Sequence, residues 1–330
     1  MRAIVIREFG GLDSLVIENL PDPKPEKGQA LIEVKKKQAD VKARSGTIRA
    51  NGVNAFGSLR FHWPEYLMEA GELALYMFVT CALATLLQHP ASPVGHWIAN
   101  GFFRRALMGL GMGATVVAII TSSWGKQSGA HFNPGVTLTF YRLGKMDFSD
   151  AAFYVIAQFL GAVSGVAIVT LVLRGAPGQA AVHYGVTMPG AYGSTIAFVA
   201  EMTISFILMS TILFVSNREN IARYTPYFAG ALVATYWTFE SPLSGMSTNP
   251  ARTFGSAFYA GYWHALWIYF TAPPLGMLAA AEIFLRLRGG VGPICAKLHH
   301  ANNKRCIFHC GYRTARSQFF GPSTRSALAK

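Results

Sequence analysis

Charge is what this chain most lacks. Of its 330 residues only 14% are charged, whereas a soluble domain carries about a quarter, and 52% are hydrophobic. Acidic residues run out after Glu282, while nine Lys and Arg follow between Arg286 and Lys330. Such a tail could point to nucleic acid. Beside long apolar runs it reads more simply as a cytoplasmic flank, so no nucleic-acid partner is expected. Cysteine is scarce too: Cys81 lies in an apolar run, and Cys295, Cys306 and Cys310 lie in the tail. On a reducing side of a membrane these stay thiols. Cys295, Cys306, His309 and Cys310 have metal-capable side chains, but their spacing matches no standard zinc pattern, so neither a metal nor a cofactor is expected. The first sixty residues are polar and charged and carry no visible signal peptide. No nucleophile–base constellation is evident, which argues against an enzyme.

What the chain has is apolar length. Six segments are long enough to span a bilayer, near Glu65–Leu87, Arg104–Ser122, Ala151–Leu173, Thr195–Val215, Pro226–Phe239 (the shortest) and Trp263–Leu287. Two more stretches, Asn133–Leu143 and Asn249–Tyr259, are about half that length and would each cover ~15 Å as a helix. With both termini inside, Arg60, Lys126, Arg142, Lys145, Arg218, Arg223, Arg286 and Arg288 fall in cytoplasmic flanks, and only Arg104, Arg105 and Arg174 in outer loops. That imbalance predicts a multi-pass protein of the cell (inner or plasma) membrane, surrounded by lipid, with both termini cytoplasmic.

The half-length stretches open on a repeat. Ser128-Gly129-Ala130-His131-Phe132-Asn133-Pro134-Gly135-Val136-Thr137 and Ser244-Gly245-Met246-Ser247-Thr248-Asn249-Pro250-Ala251-Arg252-Thr253 both read S-G-x-x-x-N-P-small-x-T. Asn at an N-cap with Pro at the first helical position starts a helix. Two such starts, one per half of the chain, predict half-helices meeting at the membrane midplane in a pore of two pseudo-symmetric halves. Each Asn would cap its own half-helix through its carbonyl and leave its NH2 to donate to a passing hydroxyl. The two N-termini, each carrying about half a positive charge, would repel cations, and Arg252 would add a fixed charge near the outer mouth. Glu69 and Glu201 occupy equivalent places in the first and fourth spans and are expected to accept hydrogen bonds from the loop amides. Glu72 and Glu240 read as carboxylates snorkelling to the interface.

From about Trp63 to Arg288 these features resemble the aquaporin (major intrinsic protein) family: both Asn-Pro loops, both glutamates, the Arg after the second motif, and "YVIAQFLG" at Tyr154–Gly161. The resemblance implies an all-α membrane fold of six transmembrane helices plus two half-helices in inverted repeats, and a homotetramer. It also implies a selectivity filter, which ungapped counting from the motifs places on Gly113, Trp237, Met246 and Arg252. A slip of one residue would substitute Met112 or Tyr236. Pore-motif residues are Asn133, Pro134, Gly135, Asn249, Pro250 and Ala251. The first motif ends in Gly135 instead of the family's Ala, removing a methyl beside the constriction. The filter lacks the His usual in water-selective members, and Thr253 stands where glycerol facilitators carry Asp. A passive channel for water or small uncharged solutes is therefore expected. The alternatives are a glycerol, urea or metalloid-acid facilitator with an atypical filter, or a non-conducting scaffold.

Met1–Val34 resembles the opening of quinone-oxidoreductase-type medium-chain dehydrogenases, with short strands expected at Ala3–Ile6, Leu15–Ile17 and Ala30–Val34. About 34 residues cannot make that family's barrel, and no nucleotide domain follows. The run Gly109–Ala114 lies inside an apolar span, where close helix packing explains it better than a dinucleotide loop. A membrane-anchored oxidoreductase is thus disfavoured. The expected division is 1–60 as an N-terminal fragment with a short β-like segment, 61–288 as the channel, and 289–330 as a basic tail.

Overall fold

The computed structural model describes residues 2–6, 15–19, 55–300 and 302–312. The chain divides into two units, Met1–Asn51 and Gly52–Lys330. In the first, β1 (Arg2–Ile6) pairs antiparallel with β2 (Leu15–Asn19), Ile4 facing Ile17. These match two of the three expected strands; the third, Ala30–Val34, lies outside the described residues.

The second unit is helical. In chain order come α1 (Ala55–Gln88), α2 (Pro93–Trp97), α3 (Gly101–Thr121), α4 (Ser123–Ser128), α5 (Pro134–Arg142), α6 (Phe148–Val172), α7 (Gly193–Ser216), α8 (Thr225–Thr235), α9 (Ser241–Ser244), α10 (Pro250–Ala260) and α11 (Leu266–Leu287). Five of these, α1, α3, α6, α7 and α11, are long and apolar enough to cross a membrane. The remaining span is composite: α8 continues through a π-helical turn, Tyr236–Glu240, into α9. A π turn holds an extra residue in the helical ladder and recurs at functional sites. Its position explains why this span looked short in the sequence. At the other extreme, α1 starts at Ala55, ahead of the expected Glu65, and carries Pro64 in its interior.

The two halves repeat. α1 packs along α6 as α7 packs along α11, α3 crosses α8 at the centre, and the short helices α5 and α10 fill the gap between the halves. Apolar side chains such as Ile156, Leu160, Leu171 and Phe239 face outward, as lipid requires and water does not. Ionisable groups are turned inward instead: Glu65, Glu69, Glu72, Glu201 and Arg252 are all buried. Glu72 therefore does not snorkel as the sequence suggested. It is held by Ser128, whose Oγ donates to it at 2.7 Å, and Glu240 is likewise buried.

The described part of the segment after α11 is not a solvated tail. Within residues 291–300 and 302–312, Ala296, Leu298 and Phe308 contact the first Asn-Pro loop, and Cys295, Ala296, Lys297, Leu298 and Phe308 are buried.

Candidate functional site: two capped half-helices and the cavity between them

The repeat in the sequence is a repeat in the backbone. Gly129, Ala130 and Phe132 have positive φ in the first loop, and Gly245, Met246 and Thr248 have it at the matching places in the second. Left-handed backbone at non-glycine residues persists only where surroundings impose it. Here those surroundings are two buried carboxylates. Glu69 accepts from the amides of His131 (2.9 Å) and Phe132 (2.7 Å), and Glu201 from those of Ser247 (2.6 Å) and Thr248 (2.7 Å).

Further pairs complete each brace. Tyr154 donates its hydroxyl to the Ser128 carbonyl at 2.7 Å, and Tyr269 to the Ser244 carbonyl at 2.6 Å. Ser128 Oγ and Ser244 Oγ accept from the amides two residues on, Ala130 and Met246. Thr137 Oγ1 and Thr253 Oγ1 contact His131 Nδ1 and Ser247 Oγ respectively. In the first half Gln158 joins Glu69 to Thr137; in the second Thr187 contacts Thr253. Ser128, Ser244, Thr137 and Thr253 were visible as repeated letters of the motif. Tyr269 left no local signal, because it lies far along the chain in a run of apolar residues.

Asn133 and Asn249 cap α5 and α10 through their side-chain carbonyls, accepting from Gly135, and from Ala251 and Arg252. Their amides are not wholly available to a solute as expected. Asn133 Nδ2 donates to the Thr248 carbonyl at 2.8 Å, and Asn249 Nδ2 to the Phe132 carbonyl at 2.7 Å. Each loop is thus tied to the carbonyl just before the other's Asn, since the loop carbonyls need donors in a site away from bulk water. One N–H of each amide remains.

Arg252 is fully buried, its guanidinium 5.4 Å from the Trp237 ring centroid, and none of its side-chain nitrogens has a hydrogen-bond partner among the described residues. A buried, unpaired guanidinium is costly unless something else accepts its protons. Trp237, the ring under that guanidinium, also lines a cavity of ≈ 560 Å³ together with Met108, Val182, His183, Met188 and Ser241. A separate space of ≈ 40 Å³ is lined by Tyr76, Val116, Ile120, Asn133, Asn249 and Leu298.

Two expectations need correction. Gly113 does not face the cavities: a Cβ there would lie 2.5 Å from the Gly230 carbonyl of α8, so the residue serves helix contact, as does Gly109 against the Ala234 carbonyl. The cavity-facing stripe of α3 runs Met108, Val116, Ile120, and Met112, fully buried, fills its helical place between them. Gly135 does not widen the constriction either, because a methyl there would meet Met277 Sδ at 2.8 Å, so that thioether occupies the place. Met246, by contrast, is buried at the positive-φ position of the second loop.

The profile of the "Major intrinsic protein" family matches residues 58–284. The chain belongs to that family. It is therefore a multi-pass membrane protein of a family of channels, not enzymes. Among its relatives, this major intrinsic protein is 32% identical over 180 residues to a "Probable aquaporin NIP-type" of Nicotiana alata, an alignment covering 54% of this chain and 65% of the relative. It is 31% identical over 178 residues to "Aquaporin Z" of Rhodopseudomonas palustris, covering 51% and 74%. The fold is similar to that in the X-ray structure of the aquaglyceroporin from Plasmodium falciparum, with a TM-score of 0.56 at 21% identity over 68% of this chain and 95% of that one. The chain thus spans about two thirds of the length of the tobacco relative it matches. The N-terminal unit falls outside the family match, which begins at residue 58.

Proposed function

We propose that this protein is a passive channel for water and small uncharged solutes that excludes ions and protons. The observation that carries the reading is the reciprocal pair of Asn bonds, which brings two half-helix N-termini together beside a buried Arg252 with unpartnered donors. Each N-terminus bears about half a positive charge. A cation approaching them loses hydration and meets only donors, whereas a neutral hydroxyl can accept from the guanidinium and from the remaining Asn N–H groups. The selectivity filter is read as Met112, Trp237, Met246 and Arg252. Two thioethers and an indole make three of its walls apolar, leaving a single charged donor. Water, glycerol, urea and metalloid acids are therefore all candidate solutes.

The basic residues around the first-loop end support a reading in which that end, and both termini, are cytoplasmic and the membrane is the cell membrane. A homotetramer follows from the family resemblance, with residues 61–288 as the channel and 1–60 as an appended fragment of dehydrogenase type. Osmotic swelling of proteoliposomes with a panel of these solutes tests the reading. Excess permeability that Asn133→Ala or Asn249→Ala lowers is the expected result; permeability equal to empty liposomes overturns it. A non-conducting scaffold would leave flux unchanged in both variants.

A further inference from the structure

The segment after α11 carries a cluster that the sequence did not delimit. The donor atoms of Cys295, His300, Cys306 and Cys310 all lie within 4.8 Å of one another. Cys295 Sγ and Cys306 Sγ are 3.6 Å apart, and Cys310 Sγ is 3.0 Å from His300 Nε2. With Zn–S bonds of ~2.3 Å, tetrahedral coordination puts sulfurs ~3.8 Å from one another, so the thiols already stand near the required spacing. Three sulfurs and one imidazole are the soft donor set that selects zinc over magnesium or calcium. His309, the histidine suggested by the sequence, is turned away: its Nδ1 contacts the Gly144 carbonyl and its Nε2 lies 3.3 Å from Asp147. His300 takes its place, its ring stacked on Tyr312.

The ligands bracket residues that sit in the pore end. Between Cys295 and His300, the Ala296 carbonyl contacts His131 Nε2 at 2.9 Å, and the Leu298 amide donates to the Gly129 carbonyl at 3.1 Å. Leu298 is buried and lines the ≈ 40 Å³ space beside Asn133 and Asn249. Lys297 donates to the carbonyls of Lys126 at 2.8 Å and Arg305 at 2.6 Å, joining both strands of the segment to the α4 end of the loop. Phe308 stacks on His131 from the other strand.

We propose that Cys295, His300, Cys306 and Cys310 bind one zinc-type ion, and that the bound metal holds Leu298 in the cytoplasmic end of the pore, so that metal loading closes the channel. The segment has little regular structure of its own to keep two strands together, and a four-ligand metal supplies that cross-link. The gating half rests on the channel reading; the metal site does not.

Titration of the purified full-length protein with Co(II) tests the site. One ion per chain with the visible bands of tetrahedral thiolate coordination is expected, lost in Cys306→Ser/Cys310→Ser; no bands, or bands unchanged in that variant, would overturn it. Flux in proteoliposomes with and without a chelator tests the gate. A several-fold rise on chelation is expected, and Leu298→Ala should conduct in the metal-loaded state while keeping the cobalt spectrum. Flux above the empty-liposome level but indifferent to chelator, with cobalt bound, overturns the gate alone. Flux at the empty-liposome level in every state, with cobalt bound, refutes the channel reading and the gate with it, and leaves the site standing. Opening by a reductant and not by chelator, with no cobalt bands, would identify a Cys295–Cys306 disulfide instead and overturn the metal.

Discussion

The first Asn-Pro loop and the second are built alike and exposed to different neighbours. Both hang from a buried glutamate, both rest on a tyrosine hydroxyl, and both place positive φ at the same three positions. Yet at the place where the second loop carries Arg252, the first carries Val136, and among the described residues the C-terminal segment covers the first loop and not the second. The shared part makes the half-helix starts; the differing parts give each end its own task. The Arg252 end carries the unpartnered donors, the His131 end the contacts of the C-terminal segment.

Breaking the shared part should have the largest effect. Glu69→Ala or Glu201→Ala strands two loop amides, each costing ~1–3 kcal/mol, so either variant should lose much of its folded yield and thermal stability in detergent. The losses should be similar; a stable Glu201→Ala protein would show that the second loop is held by something else. Next come the caps. Asn249→Ala removes two cap bonds against one for Asn133→Ala, beside one cross-loop bond each, so it should be the more destabilising, each cap being worth ~1 kcal/mol. A larger drop for Asn133→Ala in thermal unfolding would reverse that order.

Arg252→Val makes the second loop resemble the first. It removes an unpaired buried charge, so thermal stability should hold or rise, while proteoliposome assays should find faster passage of larger solutes and weaker exclusion of cations. Unchanged selectivity would show that Arg252 has no part in the filter. The smallest effect belongs to Gly135→Ala, which makes the first motif match the second. Met277 is flexible and its thioether can shift to admit a methyl, so stability should change by no more than about 1 kcal/mol and the flux ratio among solutes not at all. A changed solute preference would mean that Gly135 does set the bore.

The parts of this fold that read plainly from the sequence are those with a local cause. Apolar length announces the spans, and Asn-Pro announces α5 and α10, because cap and first-turn preferences act over neighbouring residues. Glu69 and Glu201 stood out because a carboxylate within an apolar run needs a reason. The filter depended instead on helix phase. Met112 and Gly113 are neighbours on α3, and no local property of the sequence tells which of the two packs on α8. The π turn at Tyr236–Glu240 posed the same risk on the other side, yet Trp237 does lie by Arg252. The folded C-terminal segment was the least legible. Its basic composition resembled a solvated flank, and His300 joins Cys295, Cys306 and Cys310 only through a chain reversal that spacing alone does not reveal.

The central claim is that the two loops together form one conducting pore for neutral solutes. Stopped-flow osmotic shrinkage of vesicles containing the full chain, with metal chelated, tests it most directly. Shrinkage faster than that of empty vesicles, at unchanged proton leak, is the predicted result. Shrinkage at the rate of empty vesicles would contradict it.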